Sequence, residues 1–277
     1  MAVVALIPSA GAADLSPAHW PVSERAELQR RELSAFPPNA GIVKGHTSLV
    51  AGTLSPIAVH AGVEALRRGG TAADAAATVA FTQIATDLGS VVSYAGVTNL
   101  LYYEAKSHKV YALDAGWGSY AHETNAGSIP TTDVSIITGQ TPTTGASGGG
   151  ALGRQTLVGG FMAGIEALHH RFGRLKFADL FQPAIWYAEN GVPISPVTEA
   201  WFRSRQTQLW RTPAGHRFAS MPDGSLPKVG DLFRQPIWRE RSKQWQRKVP
   251  PTCTPVIGRG SSSTRFVRRA GAWSLTT

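Results

Sequence analysis

Four groups of residues have the types and spacing that chemistry could use. Gly148-Gly-Gly-Ala-Leu-Gly153 fits G-x-G-x-x-G, whose amides cradle a pyrophosphate when a strand precedes it and a helix follows. Thr141–Ser147 before it and the β-like Gln155–Val158 after it supply neither, so the segment reads as a flexible loop. It also fails as a P-loop, because Arg154 and Gln155 stand where Lys and Ser or Thr are needed. His169 and His170 are adjacent, and a helix turns neighbours about 100° apart, so they cannot chelate one metal together. They read as two partly exposed helix histidines. Ser93 in Val-Ser-Tyr-Ala-Gly96 resembles a nucleophile elbow, but Val91 takes the position that wants Gly. The fourth group is Leu113-Asp-Ala-Gly-Trp-Gly-Ser119, where Trp117 follows a strand among small residues that let a ligand approach closely. A loop-packing indole and a ligand-facing one are both open there.

The elements that would position these groups are legible from caps and periodicity. Ser55 is a good N-cap, Pro56 suits the first helical position, and Gly69-Gly70 closes that helix after Arg67-Arg68. Thr71 caps a second helix with Asp74 in its first turn; from Ala72 to Ala85 it is apolar on all faces, which predicts burial between layers. Val97–Tyr103 and Val110–Leu113 flank the polar turn Glu104–His108 and predict a hairpin. Ser119–Gly153 reads as an extended loop. Phe161, Ile165, Leu168 and Phe172 fall at helical spacing before Gly173. Ala178–Asn190 predicts another helix, closed by Gly191 and kinked or started late by Pro183. A helix pair, a hairpin and a helix pair indicate a layered α+β or α/β domain.

Composition narrows the function classes. The chain has 277 residues, 43% of them hydrophobic and 16% charged, which suits a folded protein. No apolar run is long enough for a membrane helix. The one cysteine, Cys253, excludes an intramolecular disulfide framework and a cysteine-rich zinc site. Ten of the 27 Lys and Arg lie between Asp231 and Thr277 with two of the 18 acids, so most of the net charge of +9 belongs to that end. The body is nearly neutral, and basicity alone does not make it a nucleic-acid binder. Residues 1–13 end in Ala10-Gly11-Ala12 and read as the remnant of a secretory signal lacking its positive start. Periplasmic or secreted placement follows, or a cytoplasmic one if the segment is only an apolar terminus. Residues 14–40 then form an N-terminal arm.

Taken together, the residues resemble the gamma-glutamyltransferase family of N-terminal nucleophile hydrolases. The resemblance rests on Gly41–His46, Ala58–Ala76 with its Gly69-Gly-Thr-Ala-Ala-Asp-Ala-Ala76 block, Lys109–Asp114, Gly160–Gly173 and Pro183–Gly191. It covers residues 41–236 and implies the large-subunit part of a precursor that cleaves itself into two chains. The implied fold is α+β, an αββα sandwich that is incomplete here. In such enzymes a Thr freed at the new N-terminus attacks a γ-glutamyl amide with its own amine as base. Family transferases follow the Leu-Asp of the hairpin with an Arg that holds the glutamyl α-carboxylate. Here Leu113-Asp114 is followed by Ala115-Gly116-Trp117, none of which can make a bidentate carboxylate clamp. The family's Gly-Gly-Gly before its first sheet strand is reduced to Tyr94-Ala95-Gly96.

The Thr-Thr-His-like motif that carries the nucleophile is absent. Thr131-Thr132 is followed by Asp133, Thr143-Thr144 by Gly145, and Thr276-Thr277 by no residue. The family pattern stops after Gly230–Pro236, and residues 237–277 lack a hydrophobic period, which suggests a reading-frame shift just after Pro236 and a disordered basic tail. The expectation is therefore a fragment with no catalytic residue of its own, whose substrate-binding residues are Asp114, Gly116 and Trp117. Its partners would be a γ-glutamyl or related amide substrate and a missing small-subunit half. No cofactor and no metal are expected. The alternative is a noncatalytic protein whose basic tail grips nucleic acid or another anionic partner.

Overall fold

The computed structural model describes residues 12–34, 42–44, 48–52, 55–88, 90, 92–118, 125, 158–247, 265–269 and 272–276. Residues 1–11 of the signal-like start, Cys253, the G-x-G-x-x-G segment at 148–153 and the threonine pairs at 131–132 and 143–144 lie outside the described residues. In chain order the elements begin with α1 (Val22–Glu32), β1 (Ile42–Lys44), β2 (Leu49–Ala51), α2 (Pro56–Arg67), α3 (Ala72–Thr86), β3 (Thr98–Glu104) and β4 (Lys109–Ala115). They continue with α4 (Phe161–Phe172), α5 (Gln182–Asn190), β5 (Val192–Pro193), α6 (Pro196–Leu209), α7 (Pro213–Phe218), β6 (Leu232–Phe233), α8 (Pro236–Arg247), β7 (Arg265–Arg269) and β8 (Ala272–Thr276). Contacts divide the chain into two compact units, one of residues 1–92, 168–196 and 228–248, the other of 93–167, 197–227 and 249–277.

In the first unit the expected caps are in place. The Ser55 hydroxyl accepts from Ala58 N at 3.1 Å, and Gly69, with φ of 83°, ends α2 in a conformation that a side chain would strain. Thr71 and Asp74 form a reciprocal capping box on α3. Burial of α3 is incomplete: Ala72 and Ala76 are exposed on one stripe, while Phe81, Ile84 and Ala85 are buried. Phe81 stacks on Phe181 at 4.0 Å. Pro183 delays the next helix, since a 3-10 turn covers Phe177–Phe181 and α5 starts at Gln182.

Two stretches of this unit are more ordered than their composition suggests. Residues 14–34, the described part of what reads as an N-terminal arm, are built into the unit: Leu15, Trp20 and Leu28 are buried, Leu15 N donates to Gln182 Oε1 at 2.6 Å, and just before them Ala13 N donates to Asp179 Oδ2 at 2.8 Å. A few apolar anchors and two long-range hydrogen bonds do this, so the polar average hides it. Likewise α8 runs across the boundary drawn at 236/237. The Gln235 side chain before it donates to Ala85 O at 2.8 Å, and Gln246 Nε2 donates to Ala178 O at 2.9 Å. Arg239 and Lys243 both reach Glu189, at 3.7 and 2.7 Å. Ser242 is buried on this helix, and these long-range polar contacts are what a window of sequence does not contain.

In the second unit β3 and β4 form an antiparallel hairpin in the register Thr98↔Ala115 to Glu104↔Lys109. One face carries Leu100, Leu113 and Ala115, packed with Ala167 of α4. The opposite face carries Leu101, Tyr103 and Val110, which are 76%, 57% and 62% exposed. Close approach of α4 to the hairpin requires glycine: a Cβ on Gly164 would stand 2.7 Å from the Ala115 Cβ, and one on Gly160 would strike the Ala115 carbonyl.

Candidate functional site

The strand alternation that buries Leu113 and Ala115 places Asp114 on the outer face, opposite Asn99. Asp114 is exposed. With its NH2 turned toward the acceptors, the Asn99 amide donates to Asp114 Oδ1 at 2.8 Å and to Thr98 O at 3.0 Å. The same carboxylate oxygen overhangs Gly116, where a Cβ would come within 3.3 Å of it. Beyond Gly116 the chain is pinned again, as Gly118 N donates to Val158 O at 3.0 Å and Val158 N returns to Gly118 O at 2.8 Å. Trp117 lies between these two anchors and is 61% exposed.

Asp114, Gly116 and Trp117 thus share one short segment fixed at both ends. Asn99 is the neighbour that the motif reading missed. The turn at Glu104–His108 contained the signal, because counting back from the Glu104↔Lys109 pair sets Asn99 against Asp114. A carboxylate and an indole in this arrangement can hold a polar or cationic group and an apolar wall of a ligand; they supply no nucleophile.

The other candidates separate. Ser93 opens a turn whose Gly96 N donates to Ser93 O at 2.9 Å, ahead of a strand and not a helix, so no elbow forms. His169 Nε2 donates to Leu175 O at 2.8 Å and lies 3.5 Å from Asp74 Oδ1, while His170 is exposed, as adjacent helix positions require. Among the described residues no group of three or more His, Cys, Asp or Glu is placed to hold a metal ion. Among them, too, no helix is long and apolar enough to cross a membrane.

The first unit contains a set of buried ionisable groups that the sequence did not flag. The Glu32 carboxylate accepts from Ser55 Oγ at 3.1 Å and faces Ile57 N at 3.5 Å, at the N-terminus of α2. Burial, with repulsion from Asp87, pushes its carboxyl up to about 8. Asp87 accepts from Gln83 Nε2 at 2.8 Å, and burial pushes it up to about 6. His60 is buried between Glu24 at 3.4 Å and Glu64 at 3.8 Å, edge-on to Trp20, and burial lowers its pKa. Burial raises that of Tyr187, whose hydroxyl has no hydrogen-bond partner among the described residues.

Comparison with known proteins agrees with this architecture. The sequence model of the Gamma-glutamyltranspeptidase family matches residues 58–240. The glutathione hydrolase proenzyme of Bacillus subtilis (strain 168) is 27% identical over 191 residues, covering 69% of this chain and 30% of the relative. The crystal structure of Helicobacter pylori gamma-glutamyltranspeptidase superposes with a TM-score of 0.62 at 22% identity, covering 74% of this chain and 56% of that one. The Bacillus anthracis transpeptidase enzyme CapD gives 0.55 at 21%, covering 74% and 59%. The chain therefore spans less than a third of its curated relative and somewhat over half of these solved chains. With a family match over most of its length and an α+β fold shared with these enzymes, this chain belongs to the gamma-glutamyltranspeptidase family.

Proposed function

We propose that these residues are the large-subunit part of an amide-cleaving enzyme of this family, with Asp114, Gly116 and Trp117 lining the place where the acyl group binds. The observation that carries the reading is the two-sided character of the β3–β4 hairpin. One face is packed by α4, and the other offers Leu101, Tyr103 and Val110 to solvent. An apolar sheet face of this kind fits a second layer, which a complementary small-subunit segment would supply together with the nucleophile.

In that assembly the Thr hydroxyl attacks the amide carbonyl while its own α-amine takes the proton. The amine leaving group departs with a proton, and the acyl-Thr ester passes its acyl group to water or to an acceptor amine. The residues of this chain bind and orient the acyl group. Trp117 replaces a guanidinium clamp by a flat apolar wall with one N–H donor, so free γ-glutamyl groups lose their charge partner and uncharged or bulkier acyl groups are tolerated.

The test is reconstitution. The 277-residue chain is co-expressed with a small-subunit segment of a family enzyme beginning at its Thr, and hydrolysis of γ-glutamyl and uncharged acyl anilides is compared. Turnover that needs both parts supports the proposal; turnover by the added segment alone, unchanged by this chain, overturns it.

A further inference from the structure

Two segments of the first unit, a hundred residues apart in sequence, bring positive charge together. Arg67 and Arg68 end α2, while Arg171, Arg174 and Lys176 lie at and just beyond the end of α4, and all five are exposed. The segments are joined by hydrogen bonds. Arg174 Nη1 donates to Gly69 O at 3.0 Å, Arg174 N to Asp74 Oδ2 at 2.9 Å, and Thr71 Oγ1 to Phe172 O at 2.8 Å. No Asp or Glu occurs in residues 65–73 or 167–178. Of the flanking acids, Glu64 pairs with Arg67 at 2.6 Å, Asp74 and Asp179 are buried, and Glu166 is half-buried. Bases in the last turn of a helix answer its dipole, which accounts for Arg67 and Arg171. Arg174 and Lys176 lie past the helix, where that reason fades. Arg68 and Lys176 have no ion pair or side-chain hydrogen bond among the described residues. A Cβ on Gly69 would meet no atom within 4 Å, so this turn faces open solvent.

We propose that the turn between α2 and α3 and the loop after α4 form one docking surface for the phosphate-bearing headgroups of an anionic lipid layer. Five cations on two solvent-facing turns suit a flat charged surface, where each Lys or Arg strengthens binding about fivefold. The rings of the loop are not offered for stacking on bases: Phe172 is buried, and Phe177 packs on Phe81 at 5.8 Å and Phe181 at 5.4 Å. The cations sit at helix ends and on turns, not along a helix or strand that could enter a nucleic-acid groove. Asp74 builds the surface by tying its two segments together from beneath. The contact is electrostatic and weakens with salt. It is independent of the acyl-binding reading of the hairpin segment.

The experiment uses the whole 277-residue protein and phosphatidylcholine vesicles with and without phosphatidylglycerol, at low salt. Co-sedimentation is expected with the anionic vesicles only. Arg68→Gln combined with Lys176→Gln should weaken it about twenty-five-fold, two cations at about fivefold each. Arg268→Gln combined with Arg269→Gln removes the same charge from the basic end of the chain, and should weaken it by less than about fivefold. An unchanged urea midpoint reports that both variants stay folded. Wild-type binding in the first variant, or an equal loss in the second, overturns the proposal. Two further results also overturn it. One is retention of duplex DNA, but not of vesicles, through Arg68 and Lys176. The other is displacement from the vesicles by sodium phosphate and not by sodium chloride at equal ionic strength, which would make this a site for free phosphate.

Discussion

Asp74 Oδ2 accepts the Arg174 backbone N–H at 2.9 Å across a hundred residues of sequence. The same oxygen accepts from Thr71 N at 2.7 Å, Thr71 Oγ1 at 3.1 Å and faces Leu175 N at 3.4 Å. One fully buried carboxylate therefore caps α3 and ties it to the turn after α4. Removing it orphans several buried donors at once. Asp74→Ala is expected to cost about 3 kcal/mol, and Thr71→Ala about 1 kcal/mol, read as a lower urea midpoint at constant slope.

The buried acids give stability a definite pH dependence. Glu32 rises from 4.5 to about 8 and Asp87 from 3.8 to about 6 on folding. Between those limits the folded state holds protons that the unfolded state has released, so stability falls as pH rises, and levels off above about 8. Glu32→Gln should remove the decline above pH 6 and make the protein more stable than wild type at pH 8. Thermal melts from pH 6.5 to 9 check this, above the range in which His60, kept neutral by burial, adds an opposite slope. A wild-type Tm that rises toward pH 8 would contradict the assignment.

At Gly160 a Cβ would collide with the Ala115 carbonyl, at the end of the strand that presents Asp114 and Trp117. Backbone cannot yield as a flexible side chain can. Gly160→Ala is expected to lose about 2 kcal/mol of stability and to shift the Trp117 indole NMR signal, whereas alanine at half-buried Gly224, strained only by its own φ of 85° and with no atom nearer than 4.0 Å, should leave that signal in place.

The 277-residue protein by itself is expected neither to cleave its own backbone nor to turn over γ-glutamyl anilides. Mass spectrometry of the purified protein, followed by an anilide assay, decides it. A processed chain, or activity that co-purifies with the protein, would sink the expectation.

In the reconstituted enzyme Trp117→Arg should restore a charge partner for a ligand carboxylate. A charge-assisted hydrogen bond is worth about 1.5–3 kcal/mol, so the preference for glutathione over an uncharged acyl amide should rise about ten- to a hundredfold. If wild type already prefers glutathione strongly and the substitution changes nothing, the carboxylate is bound elsewhere.

Local rules made the helix boundaries readable: Ser55, Thr71 with Asp74, Gly69 and Pro183 act on backbone groups within four residues of themselves, and each does what its type predicts. The hairpin was legible for the same reason, and with it the loop of Asp114, Gly116 and Trp117. Tertiary structure decided what lies beyond that range. It built the polar segments of α1 and α8 into a core through a few anchors and long-range hydrogen bonds, against their average composition. It set Asn99 against Asp114, exposed Trp117, and gathered Glu32 and Asp87 from segments more than fifty residues apart. Caps and turns are short-range bonds written in adjacent residues. Burial and charge coupling depend on which distant segments meet, and no window of sequence contains both partners.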